Sequence, residues 1–243
     1  MNSDATLIDY QPQRVLAVGA HADDIDFGAS GSVARWARDG AHVEYLVLTD
    51  GSKGSSDQTM SQDALIATRE AEQRAAAETL GAKNVHFLHY EDGALEVTQE
   101  LKKDIVRIIR EVRPDTVVVM DPTMVYSAQF GFINHPDHRA AGQATLDAVY
   151  PLARDHLAFP ELLDQARLEP HKVAHVLLLN FEKQNCIVDI TETFDVKLAG
   201  LSKHASQLPD PQAAFDMLRS RAEQTGTLAG CQLAEGFVRI DVR

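Results

Sequence analysis

The sequence predicts one α/β domain, residues 1–243, with a Rossmann-like, three-layer αβα architecture around a mainly parallel sheet. Short apolar runs rich in β-branched residues alternate with longer segments in which apolar residues recur at helical spacing. This alternation indicates βαβ units, whose right-handed crossovers place helices on both faces of a parallel sheet. The length of 243 residues suits one large α/β domain, and no repeat or Gly/Ser linker divides the chain.

The first half of the chain predicts strands that alternate with helices. Each strand is a short, largely apolar run, and each helix ends at a glycine, Gly40 or Gly81, a residue that commonly terminates helices. The predicted strands are 15–20, 43–48 and 84–88, and the predicted helices are about 27–39 and 61–80.

The second half begins with the clearest helix of the sequence, which starts near Thr98. Leu101, Ile105 and Ile108 recur at helical spacing, and Pro114 ends the pattern. The next strand is apolar throughout, as expected where helices cover both faces of a sheet. The predicted elements from this strand onward are the strand 116–120, the loop 121–134, a helix over about 137–152, the strands 173–179, 187–190 and 237–242, and helices near 193–205 and 211–225. The irregular segment 151–172 is either a lid inserted on the substrate side or an ordinary surface excursion.

The composition excludes several classes of partner. Lys and Arg number 23 and Asp and Glu number 36, which gives a formal charge of −13. An acidic surface without a basic cluster repels phosphate backbones and anionic membranes, so neither nucleic acid nor a membrane is expected as a partner. The sequence shows no signal peptide and no membrane-spanning run, and its two cysteines form no CxxC pair. We therefore expect a cytoplasmic protein.

Two polar motifs follow predicted strands at the edge where an open α/β sheet binds its ligands. The first is His21-Ala-Asp-Asp24, and the second is His135-Pro-Asp-His138. Imidazole and carboxylate donors suit Zn²⁺, and a catalytic zinc uses three protein ligands plus a water. Because four ligands would close the coordination sphere, we assign His21, Asp24 and His138 as the zinc ligands and leave His135 outside. The residue types alone do not separate the ligand aspartate from a catalytic base.

The polar residues that remain match the needs of amide hydrolysis. Asp23 is placed to act as a general base on a zinc-bound water. His135, if protonated by a partner such as Asp137, would stabilise an oxyanion and protonate the leaving amine. The alternative is that Asp23, Asp24 and Asp137 only cap the helices that follow them.

These motifs resemble those of the LmbE-like, or PIG-L-type, zinc-dependent N-deacetylases, which remove acetyl groups from N-acetylated sugars and related amides. Residues 20–28 are similar to the opening motif of the family, and 135–141 match its second motif, His-Pro-Asp-His-Arg-Ala-Ala, without change. Shorter similarities extend over nearly the whole chain; they are Thr49-Asp-Gly, Thr68-Arg69-Glu70, Arg113-Pro-Asp115 and Lys197…His204-Ala-Ser-Gln207.

The resemblance implies the same zinc ligands, Asp23 as the base, and a His135 that is oriented by Asp137. It also implies that Arg69 contacts substrate, whereas the alternative is a surface arginine paired with Glu70 or Glu72. Two positions depart from the family pattern. Ala22 stands where proline is usual, and Ile133 stands where some members carry an auxiliary tyrosine, so that role is unfilled unless Tyr126 or another residue reaches the site.

We therefore expect a hydrolase that removes an acetyl group from an N-acetylated amino sugar or related amide, through a zinc-bound water activated by Asp23. The expected partner is this small-molecule substrate. Fe²⁺ is the alternative to zinc as the bound metal. The sequence leaves open whether the chain forms a homo-oligomer. One competing function is a non-haem Fe(II) oxygenase, since His21, Asp23 and His138 also match the facial triad of two histidines and one carboxylate in those enzymes. The other is a non-catalytic, metal-stabilised binding module.

Overall fold

Strands and helices alternate through most of the chain in the computed structural model, which describes residues 5–128 and 131–243. The strands are β1 (Thr6–Leu7), β2 (Arg14–Gly19), β3 (His42–Thr49), β4 (Asn84–Tyr90), β5 (Thr116–Met120), β6 (Tyr126–Ser127), β7 (Phe132–Ile133), β8 (His175–Leu179), β9 (Cys186–Asp189) and β10 (Ala234–Asp241). The helices are α1 (Asp24–Arg38), α2 (Gln62–Leu80), α3 (Gln99–Val112), α4 (Pro136–Asp147), α5 (Pro160–Asp164), α6 (Phe194–Leu201) and α7 (Pro211–Thr227).

Eight of the described strands form one sheet in the order β1-β9-β10-β8-β5-β2-β3-β4. The pairs β2–β3, β3–β4, β2–β5, β5–β8 and β1–β9 are parallel, whereas β10 is antiparallel to both of its neighbours. The predicted single domain with a mainly parallel sheet is confirmed. No helix in the described part of the chain is long and apolar enough to cross a membrane.

The sheet is covered by apolar cores on both of its faces. Alternate residues of β2 point in opposite directions, so Val15 and Ala17 join one core cluster while Leu16 and Val18 join the other. This double coverage explains why the central strands read as unbroken apolar runs. The three-layer αβα architecture is thereby confirmed.

The segment 151–172 lies against α3 rather than over the carboxyl edge of the sheet. The buried guanidinium of Arg110, in the last turn of α3, donates hydrogen bonds to the carbonyls of Leu152, Ala153, Asp155 and Ala158 at 2.8–3.2 Å. The ring Nε2 of His171 lies 2.7 Å from the carbonyl oxygen of Pro114, just before β5 begins. These contacts lie at the amino end of β5. They favour the interpretation of 151–172 as an ordinary surface excursion over its interpretation as a lid on the substrate side.

The carboxyl ends of β2 and β5 bring both polar motifs to one edge of the sheet. The two strands are parallel neighbours, and His21 follows β2 directly. Helix α4 begins close beyond β5 because Gly142 packs against it: a Cβ there would lie 2.4 Å from the carbonyl oxygen of Met120. This close approach places His138, one turn earlier on α4, beside the end of β2.

Candidate active site

The first motif contains a backbone conformation that is rare outside glycine. Asp23 precedes α1 with φ 87° and ψ −29°, a strained conformation that costs on the order of 1–3 kcal/mol and occurs often at functional sites. Its carbonyl oxygen accepts the amide of Phe27 at 3.0 Å and so begins the helix. Among the described residues, however, its carboxylate caps no amide of α1. Asp23 thus occupies the N-cap position through its backbone alone, and its side chain makes no capping hydrogen bond.

The structure brings His21, Asp24 and His138 together. Asp24 Oδ1 lies 3.0 Å from His138 Nε2, and Asp24 Oδ2 lies 3.5 Å from His21 Nδ1. Oδ2 also accepts the backbone amide of His21 at 2.8 Å, which fixes the carboxylate between the two rings. Although burial raises the pKa of Asp24, the two histidines hold it well below its usual range, so Asp24 is a carboxylate.

The tautomer of His138 makes these residues suited to a cation. Its Nδ1 lies 3.0 Å from Asn134 Oδ1, which can only accept, so Nδ1 carries the proton and donates. In the neutral ring, Nε2 is then a lone pair that faces the carboxylate oxygen of Asp24. Two acceptors in contact require a positive charge between or beside them. A divalent cation supplies that charge, so the donor set fits a metal ion.

His21 is held from its other side by two carboxylates. Its Nε2 lies 3.2 Å from Asp137 Oδ2 and 3.2 Å from Asp92 Oδ1, so Nε2 carries a proton and Nδ1 faces Asp24. Burial alone would lower the pKa of His21, but the carboxylates of Asp24, Asp137 and Asp92 raise it to about 12. A carboxylate on the far nitrogen of a histidine is the usual support of a metal ligand, because it fixes the tautomer and the ring plane.

Asp137 therefore has a different partner from the one predicted. Its carboxylate accepts the amides of Gly93 at 2.7 Å and Leu95 at 3.2 Å in addition to His21. It lies 4.0 Å from His135 Nδ1, and that nitrogen accepts the backbone amide of Asp137 at 3.2 Å instead. The residue that caps α4 is thus His135, not Asp137.

His135 is the most open of the three histidines, with a side chain that is 42% exposed. Partial burial, together with His21 and His138 nearby, lowers its pKa, and the expected protonation by Asp137 does not follow from this arrangement. Because Nδ1 accepts a backbone amide, the neutral ring carries its proton on Nε2.

Among residues 5–128 and 131–243, two triplets of metal-ligand side chains have donor atoms within 4.8 Å of one another. One is His21, His135 and His138, and the other is His21, Asp92 and Asp137. The first triplet contains two of the predicted ligands, His21 and His138, and adds His135, which is not among the predicted ligands. The second coincides with the carboxylates that hold the far nitrogen of His21.

Arg69 lies next to Asp23, not on the surface. It is 6% exposed, and it bonds to the carbonyl oxygens of Gly51 and Lys53 at 3.2 Å. Its guanidinium lies 4.0 Å from Asp23 and 3.8 Å from Asp92. The alternative of a surface pair with Glu70 or Glu72 is wrong. Burial and the charge of Asp24 raise the pKa of Asp23 to about 7, although Arg69 opposes them.

A cavity of about 200 Å³ opens beside these groups, lined by His21, Lys53, Gly54, Arg69, Asp92, His135 and Gln207. The sequence did not predict Asp92 as a site residue, and Gln207 stood out only as the end of a stretch similar to the family. For Asp92 a signal existed, because it follows β4 at the same carboxyl edge as the two motifs. Ile133 is 83% exposed and Tyr126, its partner across the β6–β7 pair, is 67% exposed. Neither residue lines this cavity.

Comparisons with known proteins show the family of the chain. The model of the PIG-L family, GlcNAc-PI de-N-acetylase, matches residues 16–149. Diacetylchitobiose deacetylase of Thermococcus kodakarensis is 35% identical over 227 residues, which cover 93% of this chain and 82% of the relative. The 1D-myo-inositol 2-acetamido-2-deoxy-alpha-D-glucopyranoside deacetylase of Kineococcus radiotolerans is 31% identical over 176 residues, 60% of this chain and 47% of the relative.

A solved structure gives the same result. N,N'-diacetylchitobiose deacetylase from Pyrococcus horikoshii, in complex with its inhibitor MPG, matches with a TM-score of 0.86 and 31% identity, over 95% of this chain and 84% of that chain. The resemblance seen in the sequence is confirmed: the chain belongs to the PIG-L (GlcNAc-PI de-N-acetylase) family.

Proposed function

We propose that the chain is a zinc-dependent N-deacetylase that hydrolyses the acetamide of an N-acetylated amino sugar or a related small amide. The observation that carries this proposal is the convergence of His21, Asp24 and His138 beside Asp23, a carboxylate that caps no helix. The deacetylase relatives, whose names describe N-acetylated amino-sugar substrates, support the same class of substrate for this chain.

The proposed ligands are His21 through Nδ1, Asp24, and His138 through Nε2. A divalent cation held there would polarise the amide carbonyl and lower the pKa of a water molecule. Two imidazoles and one carboxylate suit zinc and also suit Fe²⁺. The Fe(II) oxygenase alternative required Asp23 as the carboxylate ligand, but Asp24 is the residue that contacts both rings. The αβα fold also differs from the jelly roll typical of those enzymes.

Asp23 and His135 have separate roles in this proposal. The Asp23 carboxylate accepts a proton from the attacking water and returns it to the leaving nitrogen. Its burial beside Asp24 raises its pKa to about 7, the range in which a carboxylate can both take and give a proton, and a nearby cation would lower that value. Neutral His135 donates a hydrogen bond from Nε2 to the oxyanion that develops on the carbonyl oxygen.

The cavity provides groups that suit a sugar ring. Asp92 can accept hydrogen bonds from hydroxyl groups, and Lys53 and Gln207 can donate at the rim. Arg69 lies between Asp23 and Asp92, so it can orient both the base and the hydroxyl acceptor. A small-molecule substrate is the partner that this cavity fits.

Acetate release tests the proposed function. The zinc-loaded protein should release acetate and a free amine in equal amounts from N,N'-diacetylchitobiose or N-acetylglucosamine, and O-acetylated sugars serve as the control for amide selectivity. Binding of these sugars without any acetate release would instead indicate the non-catalytic binding module.

Asp137→Asn should weaken zinc affinity by about 10–100-fold, the usual effect of removing the hydrogen-bond partner of a ligand. An amide at this position cannot accept from His21 and from the amides of Gly93 and Leu95 together. Competition against a chelator of known affinity measures the change. Asp147→Asn, at the other end of α4, is the matched control and should bind zinc as the wild type does. Equal affinity in both variants would contradict the role of Asp137.

A further inference from the structure

Behind the proposed site lies a chain of buried hydrogen bonds centred on Asp26. Asp26 is fully buried, and its Oδ2 accepts from His204 Nε2 at 2.7 Å and from Gln73 Nε2 at 2.9 Å. The other end of the Gln73 side chain, Oε1, accepts the backbone amide of Asp23 at 2.9 Å. The chain therefore runs from His204 through Asp26 and Gln73 to the backbone of Asp23.

Asp26 fixes the orientation of the Gln73 amide. A carboxylate oxygen only accepts, so the NH₂ group of Gln73 must face Asp26 and its carbonyl oxygen must face Asp23. Gln73 is 2% exposed, and His204 is 0% exposed, so water does not compete for these bonds. A reversed amide would place two oxygens in contact at one end and two N–H groups at the other. Asp26 and His204 thereby determine that an acceptor faces the Asp23 amide.

The bond from Gln73 acts on a strained residue. A non-glycine residue keeps a φ of 87° only where its surroundings hold it there. Gln73 lies one helical turn after Arg69 on the same face of α2, so two side chains of this helix lie beside Asp23. Gln73 binds the backbone amide of Asp23, and the guanidinium of Arg69 lies 4.0 Å from its carboxylate.

We propose that Gln73, oriented by Asp26 and His204, is a positioning residue that holds the Asp23 backbone in its left-handed conformation and so aims the Asp23 carboxylate at the substrate. This inference rests on the proposed role of Asp23 as the base. Relaxation of φ at Asp23 would rotate its side chain away from the reacting atoms without removing any group that contacts substrate or metal.

The test compares Gln73→Met with a matched control on α1. Methionine has nearly the same length but no acceptor for the Asp23 amide. Gln73→Met should lower kcat by about 10–100-fold, since displacement of a reacting group by about 1 Å has effects of that size. KM and zinc content should stay at the wild-type level. The control is Ser32→Ala on α1, the helix that Asp23 precedes; it removes the buried hydrogen bond of 2.6 Å from Ser32 Oγ to Glu235 and should leave kcat unchanged.

Rescue by a conservative variant gives a second comparison. In Gln73→Glu, a protonated glutamic acid can donate a hydrogen bond to the Asp26 carboxylate and accept one from the backbone amide of Asp23. The variant should therefore keep kcat within about threefold of the wild type. A crystal structure of Gln73→Met should show Asp23 out of its left-handed conformation. Wild-type kcat in Gln73→Met, or an equal loss in Ser32→Ala, would overturn the proposal.

A measurement on the unmodified protein covers the case in which Gln73→Met does not fold. Amide exchange at Asp23, followed by NMR, should be slow because the amide is hydrogen-bonded to the buried side chain of Gln73; exchange at the rate of an exposed amide would overturn the proposal. Acetate release by the wild type, and its loss in Asp23→Asn, tests the proposed function separately. A protein that passes the exchange test but releases no acetate refutes the function and not the anchoring bond.

Discussion

Asp23→Asn should lower kcat by at least about a hundredfold, the contribution expected of a general base, while the zinc content stays at one ion per chain. Asparagine has the same shape as aspartate. The Asp23 side chain makes no hydrogen bond that caps α1, so the substitution removes none. It cannot take a proton from water at neutral pH. The effect should therefore appear in kcat and leave KM nearly unchanged, because substrate binding does not depend on the charge of the base.

The measurement pairs steady-state acetate release with metal analysis of the same preparation. Asp63→Asn is the control, since it neutralises an exposed carboxylate in the first turn of α2 and should leave kcat at the wild-type value. Full activity in Asp23→Asn would show that another group is the base. Loss of zinc in Asp23→Asn would show instead that Asp23 is a ligand.

His138→Ala should leave the protein without bound zinc after dialysis and reduce deacetylation to the background rate. The variant removes one of three proposed ligands and leaves the carboxylate of Asp24 without its partner at 3.0 Å. The loss of affinity should exceed the effect of Asn134→Ala, which removes the acceptor of His138 Nδ1 together with the hydrogen bond from Asn134 Nδ2 to the carbonyl oxygen of Met124, and should cost about 10–100-fold. Chelator competition ranks the wild type and the two variants.

His135→Ala distinguishes the two ligand sets that the geometry offers. If His135 lies outside the coordination sphere, this variant keeps zinc and loses kcat, because the hydrogen bond to the oxyanion disappears. If the triplet of His21, His135 and His138 holds the ion, zinc is lost as it is in His138→Ala. Retention of zinc by His138→Ala would contradict the proposed ligand set.

The sequence predicted the central sheet well because local pattern and burial agree there. The run 116–120 is apolar and became β5 with the same bounds, since every residue of that strand is buried. The helix expected from about 27 begins at Asp24, so the last residue of the first motif is already the first residue of α1. The β6–β7 pair was not predicted, since strands of two residues have no periodicity.

Motif residues of the candidate site could be predicted because they are close in sequence and follow strands. The side-chain partners could not. Asp137 lies two residues from His135 yet binds His21, which is 116 residues away, and only the packing of α4 determines that choice. Gln73 carries no signal in a single sequence, because a buried glutamine on a helix resembles any polar residue until its two partners are placed.

The antiparallel strand β10 has a consequence for synthesis of the chain. It is inserted between β8 and β9 and pairs with both, although it comes after them in sequence. Until residues 234–241 have emerged from the ribosome, β8 presents an unpaired, apolar edge to solvent. We expect a nascent chain halted before this point to carry β2 and β5, and with them the metal motifs, in a sheet that is still open on one side.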